Sequence, residues 1–170
     1  MKILQENSDT CMESRCTIMK VIVSSEEYNK IWTEIERVFS YPDINRAFNT
    51  SIPYKVYDLP DCLWNENQES LINEAFIALS SNDLYALDWN HDCFVYNPNE
   101  NILLNTFWED TERNCNVYFP SYYPDGDYYA FTAMDFKYGL FGNPWKKKIY
   151  VVGESLIDKF EIIKNQLLIN

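Results

Sequence analysis

The sequence reads as a single α+β domain, a mainly antiparallel sheet packed by amphipathic helices near its N-terminus, in its middle and at its C-terminus. Three observations lead there. All four glycines (126, 139, 142 and 153) fall between Tyr122 and Gly153, where aromatic and β-branched runs alternate with reversals. That is the pattern of strands joined by tight turns. Apolar residues recur at helical spacing behind Ser24 and again behind Gly153, and each stripe needs a surface to cover. The 170 residues suit one domain, 1–170, with no repeat or Gly/Ser-rich linker to divide it; a chain of that size buries roughly 70% of its unfolded surface.

Residues 1–17 are polar and without periodicity, so a loosely ordered lead-in is expected, and Ile18–Val23 is a first strand of β-branched residues. Ser24 or Ser25 caps a helix in which Tyr28, Ile31, Trp32, Ile35, Val38 and Phe39 share one face, and Pro42 marks its end. A strand over Tyr54–Asp58 is bracketed by Pro53 and Pro60. A second helix spans Glu66–Leu79, ending at the polar cluster 80–83. Leu84–Trp89 and Cys93–Tyr96 form a hairpin through Asn90-His91-Asp92, and 97–101 is a polar reversal. Glu109–Asn116 is expected as charged loop, followed by a short strand to Phe119. Leu156, Phe160, Ile163 and Leu167 set the last helix.

Pro124-Asp125-Gly126-Asp127 has the composition of a hairpin turn, proline presetting φ and Asp-Gly supplying a positive one. The strand that follows carries Tyr129, Phe131 and Ala133 on one face and Tyr128, Ala130, Thr132 and Met134 on the other. Both faces are largely apolar, which places Asp127–Met134 at the centre of the sheet. Asp135–Trp145 is expected as a looser reversal through Gly139, Gly142 and Pro144, with Lys148–Val152 returning as a strand.

The net charge is −12, and it is unevenly spread: fifteen of the 26 Asp and Glu lie between Val56 and Phe136, where Arg113 is the one basic side chain besides His91. Nucleic-acid binding is disfavoured, because phosphate contact needs concentrated Lys and Arg. No apolar run approaches the ~20 residues of a membrane span. The start, MKILQENSDTC, turns polar after Leu4 and does not read as a signal peptide. The five cysteines (11, 16, 62, 93 and 115) are scattered and lack a Cys-x-x-Cys pair, so free thiols in the cytoplasm are expected.

His91 is the sole histidine, set between Asp88 and Asp92, and a His beside carboxylates can serve as general base or metal ligand. The plainer reading is a turn histidine oriented by a neighbouring Asp. Asp125, Asp127 and Asp135 are further candidates for a polar site, but they lack the ligand spacing of a calcium loop. With one histidine and unpaired cysteines, no zinc or other cofactor is expected. Cys93 reads as a buried thiol, and Gly139-x-x-Gly142 is too short for a phosphate loop. Lys146, Lys147 and Lys148 read as a solvated strand end.

The ordered pieces Ala86-Leu87-Asp88-Trp89-Asn90-His91, Tyr96-Asn97-Pro98, Pro124 to Tyr129, Asp135-Phe136, Gly139, Phe141-Gly142, Pro144-Trp145 and Val152-Gly153-Glu154 with Leu156 resemble an uncharacterised bacterial family catalogued as domain of unknown function 2716. The upstream pieces, Tyr28-x-x-x-Trp32 and Tyr57-Asp58-Leu59, match less closely. The resemblance implies a shared fold and carries no activity; Asn143 and the Lys146–Lys148 run depart from it.

These readings favour an acidic cytoplasmic protein-binding domain, by analogy an immunity protein that neutralises a basic toxin. Asp88, Asp92, Glu109, Asp110 and Glu112 are the expected interface, with Trp108 beside them as an aromatic anchor. The alternatives are an enzyme using Asp88, His91 and Asp92, or a small-ligand-binding domain.

Overall fold

A computed structural model describes residues 19–79, 82–100 and 102–170. The expectations for 1–17, Ile18, Ser80, Ser81 and Asn101, and for Cys11 and Cys16, lie outside the described residues. Along the chain come β1 (Met19–Val21), α1 (Ser25–Phe39), β2 (Tyr54–Asp58), α2 (Glu66–Ile77), β3 (Leu84–Asp88), β4 (Cys93–Tyr96), β5 (Thr106–Asp110), β6 (Cys115–Phe119), β7 (Tyr129–Ala133), β8 (Gly139–Asn143), β9 (Lys148–Val152) and α3 (Glu154–Leu167).

Seven strands make one antiparallel sheet in the order β1-β4-β3-β7-β8-β9-β2, and β5 and β6 form a separate two-stranded sheet. β7 is therefore the middle strand, as its two apolar faces require, and all five of its residues are buried. Tyr129, Phe131 and Ala133 face a core closed by α2, α3 and Val117 and Phe119 of β6. Tyr128 and Ala130 face a second core, closed by Ile31, Ile35 and Phe39 of α1 and by Tyr41 and Phe48. The N- and C-terminal helices thus cover opposite faces.

Local chemistry sets the helix starts. Ser24, not Ser25, caps α1, its hydroxyl accepting from the Glu27 amide at 3.3 Å. Asn65 and Gln68 form a capping box for α2, each side chain accepting from the other's backbone N–H at 3.0 Å. At Gly153, φ is +94° and an added Cβ would lie 2.7 Å from Tyr138 Cβ; glycine is required there on both counts.

Four expectations need correction. Pro124–Asp127 is not a hairpin turn: it is a bend carrying the chain from β6 in the small sheet to β7 in the large one, and those strands do not pair. Gly126 has φ +157°, glycine territory but outside the left-handed helical well that a type I′ turn uses. The segment over 135–145 is not all reversal, since it contains the buried strand β8. Its glycines serve close approach: a Cβ on Gly139 would meet the Phe131 carbonyl at 2.8 Å, and one on Gly142 would meet Pro124 Cβ at 2.6 Å. Of Glu109–Asn116 only residues 111–114 are turn, because β5 and β6 pair from Thr106↔Phe119 to Asp110↔Cys115, β6 including the short strand expected to Phe119. The acidic residues masked the strand pattern. Lys146, Lys147 and Lys148 are not merely solvated: they pair with Asp43 (2.8 Å), Asp61 (2.5 Å) and Asp58 (2.5 Å).

Asp43 is the buried end of this lysine corner, accepting also from Asn143 Nδ2 (2.7 Å) and the Tyr150 hydroxyl (2.8 Å). Beside it the fully buried Tyr41 hydroxyl lies 3.0 Å from the Tyr129 carbonyl and 2.7 Å from that of Gly142. These two residues sit just beyond the last β7–β8 pair, Ala130↔Phe141, so Tyr41 closes the ladder where its own bonds stop. Tyr41→Phe should cost about 1–2 kcal/mol in urea melts, the price of stranding buried carbonyls. Unchanged stability would mean that the ladder end closes without it.

Candidate functional site

At the end of β3 the chain turns sharply. The His91 amide donates to the Asp88 carbonyl (3.1 Å), with Asn90 at φ +65°, a conformation that Asn tolerates better than most residues. The Trp89 amide donates to the Tyr128 carbonyl (3.1 Å), tying this turn to the segment entering β7. Asp88 is opposite Tyr129 in the β3–β7 register, so Asp127, two residues earlier, arrives beside the turn.

The result is a convergence of three side chains. His91 Nδ1 lies 3.0 Å from Asp88 Oδ1 and 3.0 Å from Asp127 Oδ2. The Asp88 side chain is 5% exposed, that of Asp127 26% and that of His91 60%, so the site has a buried floor and an open mouth. Asp127 is fixed further by its Oδ1, which accepts from the Tyr128 amide at 2.8 Å. Burial pushes Asp88 up to about 6, against the pull of His91. The His91 imidazole is held above its ordinary value, first by its hydrogen bond with Asp88 and despite its partial burial.

The remaining sequence candidates separate. Asp92 turns away from His91 to Arg113 (3.4 Å), so Asp127 takes the place in the His91 cluster that the sequence suggested for Asp92. Asp125 Oδ1 accepts the Tyr129 hydroxyl (2.9 Å) one bend away. Asp135 follows the far end of β7 and pairs with Lys137 (2.9 Å), so it does not join the others. Cys93 is buried and its thiol is pushed up to about 12 by burial. Its Sγ points at the Asp88 and His91 carbonyls (3.7 and 3.9 Å), consistent with an inert thiol.

The β5–β6 hairpin lies against this turn. Arg113 Nε donates to Asp110 Oδ2 (2.6 Å) while its Nη2 reaches Asp92. Asp110 Oδ1 also accepts the amides of Glu112 and Arg113 (both 3.1 Å), so Asp110 caps the hairpin turn. Glu109 and Glu112 are exposed. Trp108 is half-buried and packs against the core. The exposed aromatic of β5 is Phe107, 71% accessible and 5.3 Å from the Tyr118 ring.

Sequence reasoning missed Glu69, a buried acid on α2. It accepts from the Ser121 hydroxyl and the Tyr122 amide, and burial raises its pKa. It pins the segment that leads into Pro124 and so helps to set Asp127; the signal available was an acid lying among the apolar positions of a helix. Two shallow surface depressions lie elsewhere, around Asn65, Gln68 and Gln166, and around Pro53, Tyr138 and Gly153.

Residues 22–157 match the model of a family described as protein of unknown function (DUF2716). Over 155 residues the chain is 29% identical to the uncharacterized protein YxiI of Bacillus subtilis (strain 168), an alignment covering 82% of this chain and 90% of that protein. No solved structure gives a significant match. Among the described residues no helix is long and apolar enough to cross a membrane. The matched span takes in most of the chain and every residue of the site above, and the chain belongs to the DUF2716 family of proteins of unknown function.

Proposed function

We propose that this is a cytoplasmic protein-binding domain whose acidic end receives a basic protein, in the manner of an immunity protein that neutralises a toxin. One observation carries the reading. Arg113 joins the β5–β6 turn to the β3–β4 turn and so brings Asp110 to Asp92, with Glu112 in the same turn as Asp110 and Asp88 and Asp127 at His91 beside Asp92 in the chain. Elsewhere the acid excess is partly neutralised, as Asp58 and Asp61 are by Lys148 and Lys147. At this end one Arg and one His oppose five carboxylates, of which Asp92, Glu112 and Asp127 are open to solvent while Asp88 and Asp110 lie behind them. Phe107 supplies exposed apolar area beside that charge, the combination of aromatic anchor and complementary field that protein interfaces use.

The alternative, an enzyme, is favoured by the pairing of His91 with two carboxylates, of which Asp127 replaces Asp92 as the second.

The test starts from a basic partner recovered from the native host, with association followed by stopped flow from low to high salt. Association should slow as salt rises. Reversing the exposed Glu109 and Glu112 to Lys should slow it about tenfold at low salt; Asp110 is left intact because it caps the turn. Phe107→Ala should speed dissociation by about tenfold or more. Rates indifferent to salt and to charge reversal would reduce the acidic end to a solvated surface.

A further inference from the structure

Against the sequence expectation of no zinc, which counted histidines and cysteines alone, we propose that Asp88, His91 and Asp127 form an open binding site for a first-row divalent transition metal of the zinc type. The three ligand atoms lie within 4.8 Å of one another, and Nδ1 is 3.0 Å from an oxygen of each carboxylate. Adjacent ligands around a metal with bonds of roughly 2.1 Å sit about 3.0–3.4 Å apart, so the nitrogen is already at shell spacing from both acids. Asp127 is partly exposed on a bend, and its Oδ1 bond to the Tyr128 amide holds the carboxylate with Oδ2 toward His91.

Two further facts separate this site from an ordinary acidic patch. Among the described residues His91 is the one basic group that pairs with either carboxylate. Asp88 is about nineteen-twentieths buried, at the end of the fully buried strand β3, where a carboxylate is costly unless a cation or several donors face it. A single Nδ1–H can direct its proton well at only one of the two oxygens, whereas a cation in that position satisfies both carboxylates and the imidazole together.

The donor set chooses the ion. Calcium takes six to eight oxygens and magnesium prefers oxygen-rich octahedra, whereas an imidazole with two carboxylates suits zinc and its first-row neighbours, zinc binding more tightly than manganese. The exposed His91 leaves the outer positions to water. Binding replaces the Nδ1 proton, so His91 carries its remaining proton on Nε2.

This inference is tested without any partner, and so independently of the protein-binding reading. Untagged, chelator-treated full-length protein is titrated with zinc chloride by calorimetry. The sole histidine is followed by long-range ¹H–¹⁵N correlation, which gives one set of ring resonances to interpret. Zinc should bind one-to-one with Nδ1 losing its proton signature, and magnesium should bind at least about a hundredfold more weakly. His91→Ala and Asp127→Asn should each weaken zinc binding at least about tenfold. Asp127→Asn keeps the test valid if changes at Asp88 impair folding, because Asp127 is partly exposed. Zinc binding that persists unchanged in both variants would place the metal at exposed thiols such as Cys62 and Cys115 and overturn the proposal. Failure of His91 to respond at saturating zinc would overturn it equally.

Discussion

Gly142→Ala should destabilise the protein by about 3 kcal/mol, the upper part of the range for inserting a methyl group into a packed interior. The added Cβ would sit 2.6 Å from Pro124 Cβ and 2.8 Å from Pro124 Cγ, and β8 is buried along its whole length, so the strand has little room to retreat. Pro124 must move instead. It is buried at the head of the bend that delivers Asp127 to His91, and its displacement should lengthen the His91–Asp127 contact. Two readouts therefore change together: the urea midpoint falls, and the His91 ring resonances shift toward those of Asp127→Asn. Gly126→Ala is the control. Nothing lies within 4 Å of its added Cβ, so any cost there is backbone strain alone. A Gly142→Ala protein with the original midpoint would mean that the Pro124 bend is loosely held.

The contrast between these glycines shows what the sequence could and could not express. Helical periodicity placed α1 and α3, and the doubly apolar run after Asp127 placed the central strand, because burial leaves a periodic trace. Gly139 and Gly142 read as turn residues because glycine serves both positive φ and close approach, and only the neighbour across the sheet tells which. The β5–β6 hairpin was hidden because Glu109 and Asp110 look like loop, whereas the exposed face of a two-stranded sheet accommodates Glu109 and Arg113 pairs with Asp110 at the turn. In the site, Asp88 and His91 were legible as neighbours in the chain. Asp127 was not, since its place beside them depends on the β3–β7 register and on the Trp89–Tyr128 bond. Asp92 was the nearer residue in sequence, yet Arg113 from the other sheet takes it.

Asp88→Asn should make the metal-free protein more stable at pH 8. Burial raises the folded-state value to about 6, well above that of an ordinary aspartate. An acid whose pKa is raised by folding binds its proton more tightly in the native state. Stability therefore falls as pH rises from the unfolded value near 4 through the folded value, and the full penalty is present above it. At 1.36 kcal/mol per unit, that penalty approaches about 3 kcal/mol at pH 8. His91 acts in the same direction: its pKa is also raised, so the stability it contributes while protonated is lost as pH climbs through its folded value. Asparagine keeps the shape and an acceptor for the imidazole without the charge; it removes the Asp88 dependence and weakens that of His91, which still faces Asp127. Because the chain approaches zero net charge near its pI of about 4.4, urea melts are best run from pH 5 to pH 8. Over that window the variant should gain roughly 1 kcal/mol on the wild type from the missing Asp88 charge, with the weakened His91 pairing adding to it. Parallel stability curves for the two proteins would show that Asp88 is ionised in the fold at no cost, and that its burial is matched by further donors rather than left to a single imidazole.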